Sequence, residues 1–246
     1  MEEKNSPKSY ATPIAVVIAG LLIAGAIVYG NVADKNPEQL TLNEIIEENL
    51  NPIDKDDHIR GVDKAKFTVI EYSDLECPYC KIFHQIMNDL LKTNGTEIKW
   101  VFRHLPLETL HTKALTEAIA SECVAKIGGE ENFWKYIDTI FEATPSNDGL
   151  DLATLPTMAG TLGLDEAQFS KCLEDKETIK RVDKDLENAT AIGANGTPYV
   201  IVIGPDKKPI HAFNAESLQE ASSETKAFAT ELYTLYGQAI EKASQQ

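Results

Sequence analysis

Hydrophobic residues follow three different patterns along this chain. Ala11 to Tyr29 is a run of 19 mostly apolar residues with no polar face, inside a charge-free stretch between Lys8 and Asp34. As a helix it would measure about 28 Å, enough to cross a bilayer. Residues 31–56 are polar apart from a short amphipathic stretch. There Thr41 and Glu44 form a capping-box pattern before Ile45, Ile46 and Leu50, which predicts a short helix. That helix fits a spacer, a docking element or the first element of the folded body. The third pattern starts near Asp57. Phe67 to Tyr72 is apolar on both faces, as expected of a central strand. Pro78 suits a first helical turn, and Ile82, Phe83, Ile86, Leu90 and Leu91 follow at helical spacing up to Asn94-Gly95. Ile98, Trp100 and Phe102 alternate with Lys99 and Arg103, predicting another strand. Strand, helix and strand in this order predict a right-handed βαβ unit with parallel strands.

From Glu108 to about Ile192 the pattern is helical almost throughout. Leu115, Ile119, Cys123 and Ile127 step by four, and Phe133, Trp134, Ile137, Ile140 and Phe141 form a second stripe. Tyr199 to Ile203 then reads as a buried strand, Gly204-Pro205-Asp206 as a turn and Pro209 to Phe213 as its hairpin partner. Phe228, Leu232, Leu235, Tyr236 and Ile240 stripe a final helix. The expected class is α/β: a βαβ unit, a helical block, then ββα, with no internal repeat.

Acidic residues outnumber basic ones 39 to 23 in 246 residues, a formal charge of −16. Nucleic acid is therefore not an expected partner, because neutralising phosphates needs clustered Lys and Arg. Charge also bears on the N-terminus. Lys4 and Lys8 precede the apolar run, but Glu2 and Glu3 dilute a positive-inside signal. Ala24-Gly25-Ala26 fits a signal-peptidase site, so a cleaved leader is one reading. The run continues past it to Val28 and Tyr29, which favours an uncleaved transmembrane anchor at 11–30 behind a cytoplasmic N-terminus at 1–10. Either reading puts the body outside the cytoplasm.

The four cysteines carry the chemistry. Cys77-Pro78-Tyr79-Cys80 places two thiols between the strand and the apolar-striped helix. Cys77 falls at the helix N-terminus, where unpaired amides and the helix dipole favour thiolate, so it is expected to attack and leave. Cys80, one turn further in, is expected to be shielded and to resolve the mixed disulfide. Pro78 and Tyr79 set the stiffness of the loop. Cys77, Cys80 and His84 also have metal-ligand spacing, but no fourth ligand or second Cys-x-x-Cys is evident, and no metal is expected. Cys123 and Cys172 fall on apolar helix faces, as buried free thiols, a disulfide or a second relay pair. His104 and His111 flank Pro106. Three Asn-x-Thr sequons, at Asn94, Asn188 and Asn195, match a pattern easily met by chance.

Three segments carry a family resemblance: Val69 to His84 (VIEYSDLECPYCKIFH), Phe102-Arg103-His104-Leu105-Pro106-Leu107, and Gly196-Thr197-Pro198. Together they resemble the DsbA-like thiol–disulfide oxidoreductases over roughly Asp57 to Glu241. The resemblance implies a thioredoxin-like domain at 57–245 with an all-helical insertion at about 107–193. It implies that Glu71 is a buried acid beneath the active site that relays the proton of Cys80, and that His84 tunes Cys77. It implies that Pro198 is a cis-proline facing the Cys77–Cys80 disulfide, leaving the Thr197 backbone to pair with an extended substrate. It also implies a structural Cys123–Cys172 disulfide and no cofactor beyond the redox-active one. The implied activity is oxidation of cysteine pairs in exported proteins, with a membrane quinone-coupled partner restoring the disulfide. A reductase or isomerase of exported disulfides is the nearest rival, and a holdase or metal-binding module a rival of another class.

Overall fold

In the computed structural model, which describes residues 40–245, the chain runs α1 (Leu42–Asn49), β1 (His58–Gly61), β2 (Phe67–Ser73), α2 (Pro78–Asn94), β3 (Ile98–His104), α3 (Ala114–Gly128) and α4 (Glu130–Ala143). A 3-10 turn at Leu152–Thr154 leads into α5 (Leu155–Thr161), α6 (Glu166–Cys172), α7 (Lys176–Ala191), β4 (Tyr199–Ile203), β5 (Pro209–His211), α8 (Ala215–Glu220) and α9 (Ser223–Ala243). The predicted cytoplasmic N-terminus and the anchor at 11–30 lie outside the described residues. Among the described residues no helix is long and apolar enough to cross a membrane.

One sheet of order β1-β3-β2-β4-β5 organises these elements. β2 pairs parallel with β3 and antiparallel with β4, which makes it the central strand. Strand periodicity sends its side chains alternately to two cores. Val69, with Trp100, Phe102, Val200 and Val202, faces α2, α9 and the helical insertion. Ile70 and Tyr72, with Val101, Tyr199 and Ile201, face Ile46 of α1 and Ala189 of α7. Both faces are covered, which is why β2 reads as a continuous apolar run.

β1 is an edge strand antiparallel to β3 that hydrophobic pattern did not indicate. It has four residues, three of them His, Arg and Gly, too few and too polar to show a period. Gly61 ends it with φ +111°, where a Cβ would clash with the Ile98 carbonyl oxygen. α1 packs onto the body, where Ile46 is fully buried and Asn43 Nδ2 donates to the Ser217 carbonyl at 3.0 Å and to Glu220 at 2.8 Å. The compact unit accordingly starts at Thr41 rather than near Asp57. Those contacts are long-range, so pattern alone left this helix among three possibilities.

The insertion between β3 and β4 is α-helical from Ala114. Its central helix, α3, buries Ala114, Ala118, Ala120, Cys123 and Val124, but also Glu117, Ser121 and Glu122. Leu115, Ile119 and Ile127 of the expected stripe are only half-buried. α4, α6 and α7 surround α3, so most of its circumference is interior. Cys123 and Cys172 are joined by a disulfide, Cα to Cα 5.7 Å, that ties α3 to α6 across 49 residues. Loop-closure entropy for that separation corresponds to about 4 kcal/mol. A Cys123→Ala/Cys172→Ala protein is expected to lose roughly that much in guanidinium unfolding, with Cys77 reactivity retained. Loss of Cys77 reactivity in the folded double variant would instead make the second pair a relay.

Candidate active site

The site lies where β2 runs into α2. Cys77 occupies the N-cap of α2 with extended backbone, and Pro78 takes the first turn, where its missing N–H leaves nothing unpaired. Both cysteines are free thiols. Cys77 is 4% exposed and Cys80 fully buried. A hydrogen bond from the Cys80 thiol holds the Cys77 thiol down to about 6; the Thr197 side chain and the backbone amides of Cys80 and Tyr79 act the same way, against the cost of burial. The Thr197 hydroxyl is buried without another partner, so it is available to the thiolate, while the Thr197 carbonyl lies 3.5 Å from the sulfur and accepts from the thiol form. Burial first, then the neighbouring Cys77, pushes the Cys80 thiol well above its ordinary value. The Asp74 backbone N–H points at the Cys80 sulfur at 3.5 Å. The two sulfurs therefore divide into a thiolate near neutral pH and a shielded thiol.

The Thr197–Pro198 peptide is cis and packs against Cys77. Tyr79 is half-exposed beside the site, and its carbonyl accepts from the Tyr236 hydroxyl of α9 at 3.4 Å.

Glu71 sits in the central strand, opposite Phe102 on one side and Val200 on the other, with no exposure. Trp100 Nε1 donates to one carboxyl oxygen at 3.0 Å, and the other oxygen has no partner among the described residues. Burial pushes this carboxyl up to about 8; the Trp100 hydrogen bond pulls the other way and the Cys77 charge adds to the rise. The unfolded chain loses this proton near 4.5, so between about pH 4.5 and 8 the folded chain holds a proton that the unfolded chain does not. Stability therefore falls as pH rises through that window. Glu71→Gln is expected to remove the slope and to stabilise the protein at pH 7 by on the order of 1–3 kcal/mol, read by denaturant unfolding at a series of pH values. An unchanged pH slope would place the titrating group elsewhere.

His84 lies elsewhere. Its Nε2 bonds Asp138 Oδ1 at 2.6 Å, its ring packs on Trp100 and Phe141, and burial lowers its affinity for a proton. Arg60 of β1 pairs with the same Asp138 at 2.8 Å and with Asn88. His84 thus joins β1, α2 and α4 rather than touching Cys77. His104 is buried against Ser121 and Glu122. Among the described residues no group of three His, Cys, Asp or Glu side chains is arranged to hold a metal ion.

The structure adds residues that motif reading passed over. Asp74 is buried; one carboxyl oxygen accepts from Glu76 N at 2.8 Å, the other from Leu107 N at 2.8 Å and His111 Nδ1 at 2.9 Å. It ties the segment after β3 to the Cys-x-x-Cys loop. The Asp74 hydrogen bond and the Cys77 charge raise the His111 ring against burial. The acids flanking Leu75 in Ser73 to Cys77 were the available signal for Asp74 and Glu76. Glu117 had none, lying in a helix of small residues 40 positions downstream.

Residues 54–225 match the family model described as thioredoxin. Among solved structures the chain is similar to DsbA2 of Pseudomonas aeruginosa, with 27% identity, a TM-score of 0.58, and 74% of this chain covering 96% of that one. It is similar to alpha-DsbA1 of Wolbachia pipientis, with 26% identity, a TM-score of 0.56, and coverage of 82% and 100%. BdbD of Bacillus subtilis, at 21% identity and a TM-score of 0.57 over 76% and 96%, shares the fold. Among curated proteins the chain is 35% identical over 192 residues to Na(+)/H(+) antiporter NhaA 1 of Salinispora arenicola, covering 77% of this chain and 28% of that protein. It is 37% identical over 154 residues to the NhaA of Herminiimonas arsenicoxydans, covering 62% and 23%. The chain thus spans about a quarter of the length of these curated relatives. With its thiol pair at the head of α2, the matched domain and these structural neighbours, the chain belongs to the thioredoxin family and, within it, to the DsbA-like thiol–disulfide oxidoreductases.

Proposed function

We propose that this enzyme oxidises cysteine pairs in exported proteins, donating the Cys77–Cys80 disulfide. The observation that carries this reading is the Cys77 sulfur, a thiolate near neutral pH beside a shielded Cys80. A thiol lowered to about 6 stabilises the reduced enzyme at pH 7 by about 1.4 kcal/mol over an unperturbed thiol, roughly 30 mV towards the oxidising side. In the cycle, a substrate thiolate attacks Cys77 Sγ of the disulfide and Cys80 leaves. Glu71, protonated and buried on the same side of β2, supplies the proton that the Cys80 sulfur takes up. A second substrate thiolate then attacks its own sulfur in the mixed disulfide and Cys77 leaves as thiolate. Two electrons pass to the enzyme, and a membrane redox partner removes them. The substrate segment lies extended beside Thr197 and Pro198, held by backbone hydrogen bonds with little demand on sequence. The apolar run at 11–30 and the family resemblance support a membrane-attached, extracytoplasmic catalytic domain.

Equilibration with glutathione tests the direction of electron flow. A potential above about −180 mV, together with catalysed oxidation of a reduced protein, supports the oxidase; a value near −270 mV makes the enzyme a reductase.

A further inference from the structure

Two fully buried carboxyl groups, Glu76 adjoining Cys77 in the chain and Glu117 beside Glu76, have no part in the cycle above. Glu76 immediately precedes Cys77. Its carboxyl accepts from Gly149 N at 3.1 Å, from Leu150 N at 3.3 Å and from the Thr144 hydroxyl at 3.3 Å. Its backbone carbonyl accepts from Asn147 N at 2.8 Å. Three donors on its two oxygens make Glu76 an acceptor, that is, a carboxylate. The segment it grips is unusual: Ser146, Asn147 and Asp148 are consecutive non-glycine residues with φ of 67°, 53° and 62°. Such a run is unfavourable by itself and persists only where its surroundings hold it. Lys81 of α2 reaches the same segment, its Nζ donating to the Thr144 carbonyl at 2.7 Å. The insertion is thereby pinned to the chain on both sides of Cys77-Pro78-Tyr79-Cys80.

Glu117, in the first turn of α3, is fully buried, and neither of its oxygens meets a donor among the described residues. The charged and titratable groups facing it are Glu76 and Asp74 from the loop before α2, Lys113 from the start of α3 and Tyr136 from α4. Lys113 Nζ is committed to the Asp148 and Leu150 carbonyls at 2.7 and 2.6 Å, and the Tyr136 hydroxyl to the Leu155 carbonyl at 3.1 Å. A buried carboxylate with no donor is costly, whereas a protonated one beside an acceptor is satisfied. Glu76 bonds Leu150 N while Lys113, one turn before Glu117, bonds the Leu150 carbonyl, which brings the Glu76 carboxylate to Glu117 as that acceptor. Burial, then Glu76, pushes the Glu117 carboxyl up to about 10.

We propose that Glu117 is a positioning residue for Cys77: as a neutral acid it donates a hydrogen bond to the Glu76 carboxylate and so holds the chain before the nucleophile against the turn at 144–150. This rests on the assignment of Cys77 as nucleophile. Two variants of the full chain test it. Glu117→Gln keeps an N–H donor, and Glu117→Leu removes it at similar volume. The pH profile of Cys77 alkylation is expected to be unchanged in the first. In the second it is expected to move to higher pH, because the freed Glu76 charge disfavours the thiolate, reading as about a three- to tenfold slower reaction near pH 5. A profile unchanged by Glu117→Leu, or shifted equally by both variants, overturns the proposal. Infrared difference spectra give a second readout should the leucine variant fail to fold. A protonated-carboxyl band beyond that of Glu71 is expected at neutral pH in the wild-type protein and lost in Glu117→Gln, and no difference overturns the proposal. A wild-type Cys77 that does not react as a thiolate would sink the nucleophile assignment, while a titrating Cys77 indifferent to Glu117→Leu sinks only the positioning role.

Discussion

Cys77→Ser and Cys80→Ser are each expected to abolish disulfide transfer to a reduced substrate, and Cys80→Ser alone to trap a thiol from an oxidised probe as a mixed disulfide on Cys77. The two effects differ because the environments of the sulfurs differ. Cys77 sits at the N-cap of α2 under Thr197, with the amides of Tyr79 and Cys80 turned towards it, and its thiol lies at about 6. At pH 7 it is therefore mostly thiolate, the form that attacks a disulfide and leaves a mixed one. A serine hydroxyl at this site ionises negligibly at that pH and cannot form the sulfur–sulfur bond. The expected loss is complete within assay limits, on the order of a thousandfold or more, by analogy with loss of an activated nucleophile. Cys80 is fully buried, with its thiol well above its ordinary value, so substrate reaches Cys77 first. With Cys80 replaced, nothing inside the enzyme resolves the adduct. Mass spectrometry after mixing the Cys80→Ser protein with an oxidised thiol probe is expected to show one adduct, on Cys77. An adduct elsewhere, or substantial turnover by Cys77→Ser, would refute this division of labour.

The second large effect concerns stability. Arg103→Leu is expected to cost about 3–5 kcal/mol, because it leaves a buried carboxylate without its counter-charge. Arg103 is 2% exposed. Its guanidinium forks onto Asp57, Nε to Oδ1 at 2.8 Å and Nη2 to Oδ2 at 3.0 Å. Nη1 donates to the Tyr72 hydroxyl at 2.9 Å and to Asn188 Oδ1 at 3.0 Å, and Nη2 to the Asn51 carbonyl at 3.1 Å. One side chain thus joins β3 and β2 to α7 and to the segment that follows α1. The network lies on the sheet face opposite Glu71, so the thiol chemistry of folded molecules is expected to survive. Arg103→Lys should recover only part of the loss, since an ammonium cannot satisfy the fork. Guanidinium unfolding measures both variants. A loss below about 1 kcal/mol for Arg103→Leu would mean that Asp57 finds solvent in the variant.

The readable parts of this protein are those whose physics is local. β2 is apolar on both faces because both sheet faces are covered, and that shows in six consecutive residues. Pro78 and the stripe from Ile82 to Leu91 mark where α2 starts and which side it buries. β1 carries no legible period, because four residues held by pairing to β3 need no pattern of their own. α3 departs from the expected stripe because a helix surrounded by others has no single buried face. His84 stands beside the motif in sequence, yet its rotation on α2 turns it to Asp138 rather than to Cys77.

The sequence by itself determined the Cys-x-x-Cys pair, the order β2, α2, β3 and the covalent possibilities open to four cysteines. Spacing and periodicity are properties of adjacent residues, and neighbours along the chain cannot be reassigned by folding. Only the tertiary structure decided how fully Cys80 is shielded, that Glu71 is wholly buried, and that Cys123 meets Cys172. The same holds for the meeting of Asp74, Glu76 and Glu117. Each depends on burial and on partners tens of residues away. Desolvation and hydrogen bonding, which set charge inside a protein, act through space and not along the chain.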